Sequence, residues 1–268
     1  MLGNEKFLQL YNYLKNLDRV MVAFSGGVDS TFLLKAAKDA LGKKVKAVTI
    51  RAPYIQSWEI EEALQTSKEL GIAHEIIEAP IIDEIRNNPA NRCYLCKKAI
   101  FSMIKSIAER QQFPFVIDGS NYDDTREYRP GLKALEELRI KSPLMDCQLT
   151  KREIRDLSKE LGLVTWDKPS YACLLTRIPY NSELKVEDFI KIEKAEKYMM
   201  DIGFRSVRVR CHEKLARIEV DRKAINKILN EDLLQEISIK LKEYGFKYVT
   251  LDLDGYRAGS FNEKDWKM

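Results

Sequence analysis

The stretch that most constrains this chain is Ser25-Gly26-Gly27-Val28-Asp29-Ser30. An apolar run, Val20–Phe24, leads into it and reads as a short buried strand, and a helical pattern beginning at Thr31 leads out. Two adjacent glycines free the backbone for conformations closed to other residues and let it approach a ligand closely. Their N–H groups, with those of the first helical turn, form an anion-binding concavity at the positive end of a helix dipole. Ser25 and Ser30 add hydroxyl donors. Asp29 would repel a phosphate, and fits only if a Mg²⁺ bridges it to the phosphate oxygens. Two familiar phosphate loops are excluded. Asp29 stands where the Walker loop needs a lysine, and Ser30 where the dinucleotide fingerprint needs a third glycine. The plain alternative is a glycine-rich turn with no ligand.

Around this turn, strands and helices alternate. Residues 5–17 read as an amphipathic helix, 45–50 as a second strand, 74–78 as a third and 115–118 as a fourth, with helices between them. Ser57 is expected to cap the helix that runs to Leu70. Ser142–Leu144 reads as an extended piece, and Thr150-Lys-Arg-Glu153 as a capping box that opens a helix. This order predicts an α/β fold, a doubly wound parallel sheet over residues 1–180. The ends of the strands near Ser25, Ile50 and Asp118-Gly119 should meet in one crevice. From about 181 to 268 the pattern changes to a helix, a two-strand hairpin, a helical stretch broken near Asn230 and a closing strand, a smaller α+β domain. A chain of 268 residues accommodates both. The net charge of +4 does not by itself argue for nucleic acid, and no apolar run approaches membrane-span length. A cytoplasmic location is expected.

The five cysteines are an odd number, and Cys93 and Cys96 form a C-x-x-C at the start of a helix. That pattern favours metal or catalysis over a disulfide framework. A zinc site with distant partners and a three-cysteine iron–sulfur cluster both suit the spacing. A thioredoxin-type pair does not, because its turn is occupied by the glycine loop. Cys173 lies in a loop with basic neighbours. Asp118, Asp123 and Asp124 cluster ahead of Arg126 and Arg129, acidic groups suited to Mg²⁺ and arginines to phosphate. Lys151 and Arg155 open the capped helix and stand where they can reach the same phosphates. Arg208 and Arg210 alternate with Val207 and Val209, so both arginines point to one side of a strand. Two crowded arginines suit an anion between them, relief of which would leave stability level or higher; an exposed sheet face reads the same way. Glu219, on the partner strand, is placed to pair with one of them.

The Ser-Gly-Gly-x-Asp-Ser signature resembles the pyrophosphate loop (PP-loop) of the N-type ATP pyrophosphatases. With Asn91-Arg-Cys-Tyr-Leu-Cys-Lys-Lys98, Asp118–Asp124, Arg129-Pro-Gly131, Leu149–Arg155, Thr165-Trp-Asp-Lys-Pro-Ser170, Cys173 and Val207–His212, the chain resembles the LarE family of sulfur transferases over nearly its whole length. The resemblance implies that ATP adenylates a carboxylate of pyridinium-3,5-biscarboxylic acid mononucleotide, that sulfur displaces AMP, and that the cycle repeats on the second carboxylate. It implies phosphate binding by Ser25, Gly26, Gly27, Val28, Asp29 and Ser30, with Ile50, Gly119, Asp124, Arg129 and Lys151 completing the nucleotide site. Arg208, Arg210 and Glu219 would hold and orient the anionic substrate. Family members with one cysteine, matching Cys173, sacrifice its sulfur; those with three hold a 4Fe–4S cluster. Cys93, Cys96 and Cys173 place this chain with the cluster kind, sulfide or another sulfur donor supplying the atom. The implied cofactors are ATP, Mg²⁺ and the cluster, and the implied assembly is a homo-oligomer. An RNA thiolase and a non-enzymatic nucleotide sensor with structural zinc are the alternatives. The C-terminal part, with only local arginines, argues against RNA.

Overall fold

Val20–Ala23 (β1) is a run of apolar residues with three of its four members buried. Such a run is stable only with cover on both faces, which is the condition of a parallel sheet between helices. The computed structural model describes residues 5–126 and 130–257. Their contacts divide the chain into two units. The first runs through Glu84 and resumes at Asn91–Tyr171; the second takes Ile85–Ala90 and the chain from Ala172. From the sequence, the change of pattern was expected at 180–181.

In the first unit, α1 (Glu5–Asn16), β1, α2 (Val28–Leu41), β2 (Val45–Arg51), α3 (Ser57–Glu69), β3 (Ala73–Glu78), α4 (Arg92–Arg110) and β4 (Phe115–Ile117) follow in order. The four strands are parallel, in the order β3-β2-β1-β4. From β1 the chain steps one way to β2 and β3, and later to the opposite flank for β4. The order therefore reverses between β1 and β4, where a crevice opens at the carboxyl ends of the strands. Three short helices complete the unit: α5 (Pro130–Glu137), α6 (Pro143–Asp146) and α7 (Lys151–Glu160). The main core joins α1, α2, β1 and α7 through Leu10, Leu14, Val22, Phe32, Leu33 and Ile154, all fully buried.

The capping box is present as expected: the Thr150 side chain accepts from Glu153 N–H, and Glu153 accepts from Thr150 N–H at 2.8 Å. Two local expectations are corrected. Ser57 lies inside α3, whose N-cap is Gln56, and no side chain caps the helix. Ser142–Leu144 is not extended; Pro143 opens α6, where its missing N–H costs nothing, and only Lys141 bridges to Ile117 of the sheet.

In the second unit, α8 (Val186–Asp201) precedes the antiparallel hairpin of β5 (Val207–His212) and β6 (Leu215–Val220). Then come α9 (Ile225–Ile228), α10 (Glu231–Glu243) and β7 (Tyr248–Leu251), which pairs parallel to β6. The break expected at Asn230 is its N-cap of α10, accepting from Leu233 N–H at 3.0 Å. The segment Ile85–Ala90 is tied in by Asn88, which is fully buried at φ +47°. The Asn88 amide donates to Ile178 O and Pro179 O, both at 2.9 Å. Leu184 N–H donates to Arg86 O at 2.8 Å.

Candidate active site

The glycine turn follows β1 and opens α2. Gly27 is the N-cap of α2, and no side chain caps the helix, so the N–H groups of the first turn are left for a ligand. Gly26 stands at φ +69°, and a Cβ there would meet Ala63 of α3 at 3.0 Å, so both conformation and space require glycine. Ser25 and Ser30 hydroxyls lie 3.1 Å apart, and Ser30 Oγ donates to Gly27 O at 3.2 Å, closing the turn. Gly119, after β4, passes so close that a Cβ would stand 3.0 Å from Ser30 N.

A cavity of about 510 Å³ opens over this turn, wholly within the first unit. Ser25, Gly27, Asp29 and Ser30 form its polar end, with Asp118–Asn121, Asp123, Asp124 and Lys151. Val48, Ile50, Ile55, Ile60, Ile100, Phe101 and Ile104 form an apolar end suited to a flat ring. Asp29 is fixed on two sides: Lys151 Nζ pairs with its carboxylate, and Asn121 Nδ2 donates to it at 3.3 Å. Asp118 accepts from Ser120 Oγ at 2.6 Å and Ser142 Oγ at 2.5 Å, with Lys97 Nζ at 3.9 Å. Asp123 accepts from Lys151 N–H at 2.7 Å and so anchors the start of α7. Buried Asp124 accepts from Asn121 N–H at 3.0 Å. The lining carries Asp29, Glu59, Asp118, Asp123 and Asp124 against Lys97 and Lys151. An anion entering this field requires a cation with it, and hard carboxylate oxygens suit Mg²⁺.

Of the nucleotide-site residues expected from the sequence, Ser25, Gly27, Asp29, Ser30, Ile50, Gly119, Asp124 and Lys151 line this one cavity. Gly26 and Val28 support the turn from behind and are buried. Arg129 lies outside the described residues. Arg155 does not face the cavity: it donates to Trp166 O at 2.6 Å and Lys168 O at 2.8 Å. Behind the site, Thr49 Oγ1 donates to Phe24 O at 2.5 Å, and His74 joins Thr49 to Ser67 at 2.8 and 2.7 Å. Burial holds the His74 imidazole down at about 4.

The cysteines divide between the units. Cys93 and Cys96 occupy the first turn of α4, Cys93 exposed and Cys96 half-buried with Tyr54 OH 3.3 Å from its sulfur. Burial pushes the Cys96 thiol up, and the Tyr54 bond opposes that. Cys173 belongs to the second unit. Cys147 and Cys211 are buried, and burial raises their thiols to about 11 and about 12. Within either unit, no group of three or more His, Cys, Asp or Glu side chains gathers to hold a metal ion among the described residues. Two cysteine sulfurs three residues apart in the first turn of α4 are nonetheless of the donor type that an iron–sulfur cluster takes.

In the second unit Arg208 and Arg210 are not on an exposed face; they are 5% and 4% exposed. Arg210 and Glu219 pair bidentately, at 2.9 and 2.8 Å, and Arg217 adds a third bond to Glu219 at 3.0 Å. Arg208 donates to Val207 O at 2.7 Å and stacks 4.9 Å from the Tyr256 ring. Burial, then the nearby Arg177, lowers its hold on its proton. Arg177, not singled out from the sequence, is fully buried. It pairs with Glu196 at 2.8 and 2.9 Å and donates to Ala172 O at 2.7 Å and Cys173 O at 3.2 Å. The hidden signal was a charged residue four positions after Cys173, in a short string that also holds Leu174, Leu175 and Ile178.

A parallel α/β sheet with this glycine turn at its switch point is the PP-loop architecture. A family profile for the queuosine biosynthesis protein QueC matches residues 19–98. An uncharacterised protein of Synechocystis sp. is 40% identical over 96% of this chain and 97% of its own length. The pyridinium-3,5-bisthiocarboxylic acid mononucleotide synthase of Lactiplantibacillus plantarum is 38% identical over 93% of this chain and 91% of its own. A 7-cyano-7-deazaguanine synthase of Lysinibacillus sphaericus is 36% identical over 28% of this chain. The chain belongs to the family of the pyridinium-3,5-bisthiocarboxylic acid mononucleotide synthase, the LarE family within the PP-loop class. No helix among the described residues is long and apolar enough to cross a membrane.

Proposed function

We propose that this chain is an ATP-dependent sulfur transferase that adenylates the carboxylates of pyridinium-3,5-biscarboxylic acid mononucleotide and converts them to thiocarboxylates. Family membership supports the enzyme class, and one observation carries the chemistry: the uncapped N-terminus of α2 and a surplus of carboxylates share one cavity with an apolar end. The apolar end takes the adenine, the turn takes the phosphates, and Asp29 takes the Mg²⁺ that offsets the acidic lining. Lys151, beside Asp29, adds positive charge where charge builds on the phosphoryl group as pyrophosphate leaves.

Arg208 and Arg210 hold the acceptor's phosphate or carboxylates, with Glu219 fixing the Arg210 guanidinium. Cys93, Cys96 and Cys173 would hold a 4Fe–4S cluster, which when bound would carry the sulfur to be transferred. The α4 helix presents its two thiols together, and Arg177 fixes the backbone carbonyl of the third.

The test is pyrophosphate release from ATP in the presence of the biscarboxylate nucleotide and sulfide, with iron and labile sulfide measured on anaerobically prepared protein. Asp29→Asn should lose pyrophosphate release while keeping its fold. Cys→Ala at 93, 96 or 173 should lose iron and sulfur transfer while keeping ATP binding, and the same change at 147 or 211 should lose neither. A Cys173 lighter by about 34 Da after turnover would replace the cluster with the sacrificial route.

A further inference from the structure

The peptide between Gly26 and Gly27 has little to hold it. Its orientation is set by ψ of Gly26 and φ of Gly27, and neither residue has a Cβ to resist rotation. In a trans peptide the carbonyl and the N–H point opposite ways. If the Gly26 carbonyl turned toward the cavity, the Gly27 N–H would turn away from it, and a donor would be replaced by an acceptor in front of an anion.

One side chain opposes that rotation. Lys168 Nζ donates to Gly26 O at 3.0 Å, and Lys168 is not among the residues that line the cavity. Gly27 lines the cavity and its N–H is aimed at Ser25 Oγ, 3.4 Å away, whereas Gly26 is absent from the lining. The lysine is itself held. Its ammonium pairs with Glu62 of α3 at 2.6 Å, next to the Ala63 that backs Gly26. Its backbone carbonyl is gripped by Arg155 of α7 at 2.8 Å, together with Trp166 O at 2.6 Å. The pair with Glu62 does not explain the burial. The Lys168 side chain is 12% exposed and that of Glu62 55%, and an ion pair open to water on one side returns little for the hydration the ammonium gives up.

We infer that Lys168 is a positioning residue: by holding the Gly26 carbonyl it aims the Gly27 N–H into the nucleotide cavity. This rests on the reading of that cavity as the ATP site. Lys151 steadies Asp29 from one end of α7, and Arg155 steadies the Lys168 segment from the same helix. One capped helix thus sets both the charged and the backbone side of the turn.

The experiment uses the full chain labelled with ¹⁵N-glycine, as wild type, Lys168→Met and Lys168→Arg. Binding of Mg²⁺ with α,β-methylene-ATP, which cannot be cleaved at the reacting bond, is measured beside the Gly27 amide signal and the KM for ATP in pyrophosphate release. Lys168→Met should weaken nucleotide binding and raise KM on the order of tenfold, the loss expected for a charge-assisted bond. It should shift the Gly27 amide signal and speed its hydrogen exchange, with the unfolding midpoint little changed. Lys168→Arg, which still donates, should recover most of the affinity and the wild-type Gly27 signal. Wild-type affinity and an unmoved Gly27 amide in Lys168→Met would overturn the inference. A wild type that fails to bind the Mg²⁺–nucleotide would sink the ATP reading instead, and the Gly27 amide would still decide what Lys168 does to the turn.

Discussion

Replacing Glu196 by Gln tests how the second unit is held together. Glu196 Oε1 accepts from Arg177 Nε at 2.8 Å and from Val209 N–H at 2.9 Å, and Oε2 accepts from Arg177 Nη2 at 2.9 Å. Glutamine keeps the shape and removes the charge. With its oxygen turned to Arg177 Nε and Val209, its NH₂ faces Nη2, donor against donor. The two partners are 2% and 0% exposed, so water cannot make up the loss. Breaking a buried pair costs about 3–5 kcal/mol, a large part of the roughly 5–15 kcal/mol that keeps a domain folded. Unfolding followed by circular dichroism should show a midpoint lower by roughly 6–20 °C. Arg177→Met should cost as much or more, because the bond to Ala172 O goes too, although Cys173 O keeps the Thr176 N–H and hydroxyl as donors. The double variant Arg177→Met/Glu196→Leu removes both charges and should recover part of the loss. It should not recover all of it, since the buried Val209 N–H loses the Glu196 carboxylate that accepts it, at about 1–3 kcal/mol. Glu196→Gln within about 0.5 kcal/mol of wild type would refute the reasoning, because that is the range of a surface substitution.

Arg210→Ala should lower the unfolding midpoint rather than leave it level, since it strips a buried Glu219 of its bidentate partner and leaves Arg217; equal or higher stability would show that arginine crowding dominates. Gly119→Ala should depress pyrophosphate release with the fold intact, because the added methyl meets Ser30 N at 3.0 Å and displaces the first turn of α2; wild-type rates would show that the turn yields freely. His74 titrates at about 4 in the fold and near 6.5 when unfolded, so between those values the unfolded chain binds more protons. Its contribution is therefore full above about pH 6.5 and is lost as the pH falls toward 4, on the order of 2–3 kcal/mol in all. Urea titrations across that range should show the slope, and His74→Gln should flatten it.

The parallel sheet, its helices and the capping box were legible because they rest on short-range pattern: apolar runs between glycine turns, and Thr150 with Glu153. The convergence of Ser25, Ile50 and Asp118-Gly119 was legible from strand order alone, since all three follow strands at one end of the sheet. What stayed hidden depends on partners distant in sequence. Arg155 reads as a cation within reach of the phosphates and is in fact committed to the carbonyls of Trp166 and Lys168. Arg208 and Arg210 alternate as on a wet sheet face, yet they are buried, and only the fold brings Tyr256 and Thr176 to cover them. Arg177 sits in a loop-like string, and its burial follows from Glu196, nineteen positions on. Lys141 breaks the extended reading of the residues after it, because one bridge to Ile117 ends the strand and Pro143 starts a helix.

The placement of Ile85–Ala90 has a consequence for how the chain is made. On the ribosome these six residues emerge long before Ala172, the start of the segment that needs them. Until that segment appears, Asn88 has no carbonyls to bond, and once it appears, Ile178 O and Pro179 O wait on an asparagine already synthesised. The second unit is thus built from two instalments of translation separated by all of α4–α7. A fragment beginning at Ala172 would carry every strand of its sheet and still lack the buried amide that closes the Leu175–Pro179 turn. Supplying residues 85–90 as a separate peptide would have to meet the entropy of joining two chains, which the intact polypeptide meets through its own connectivity.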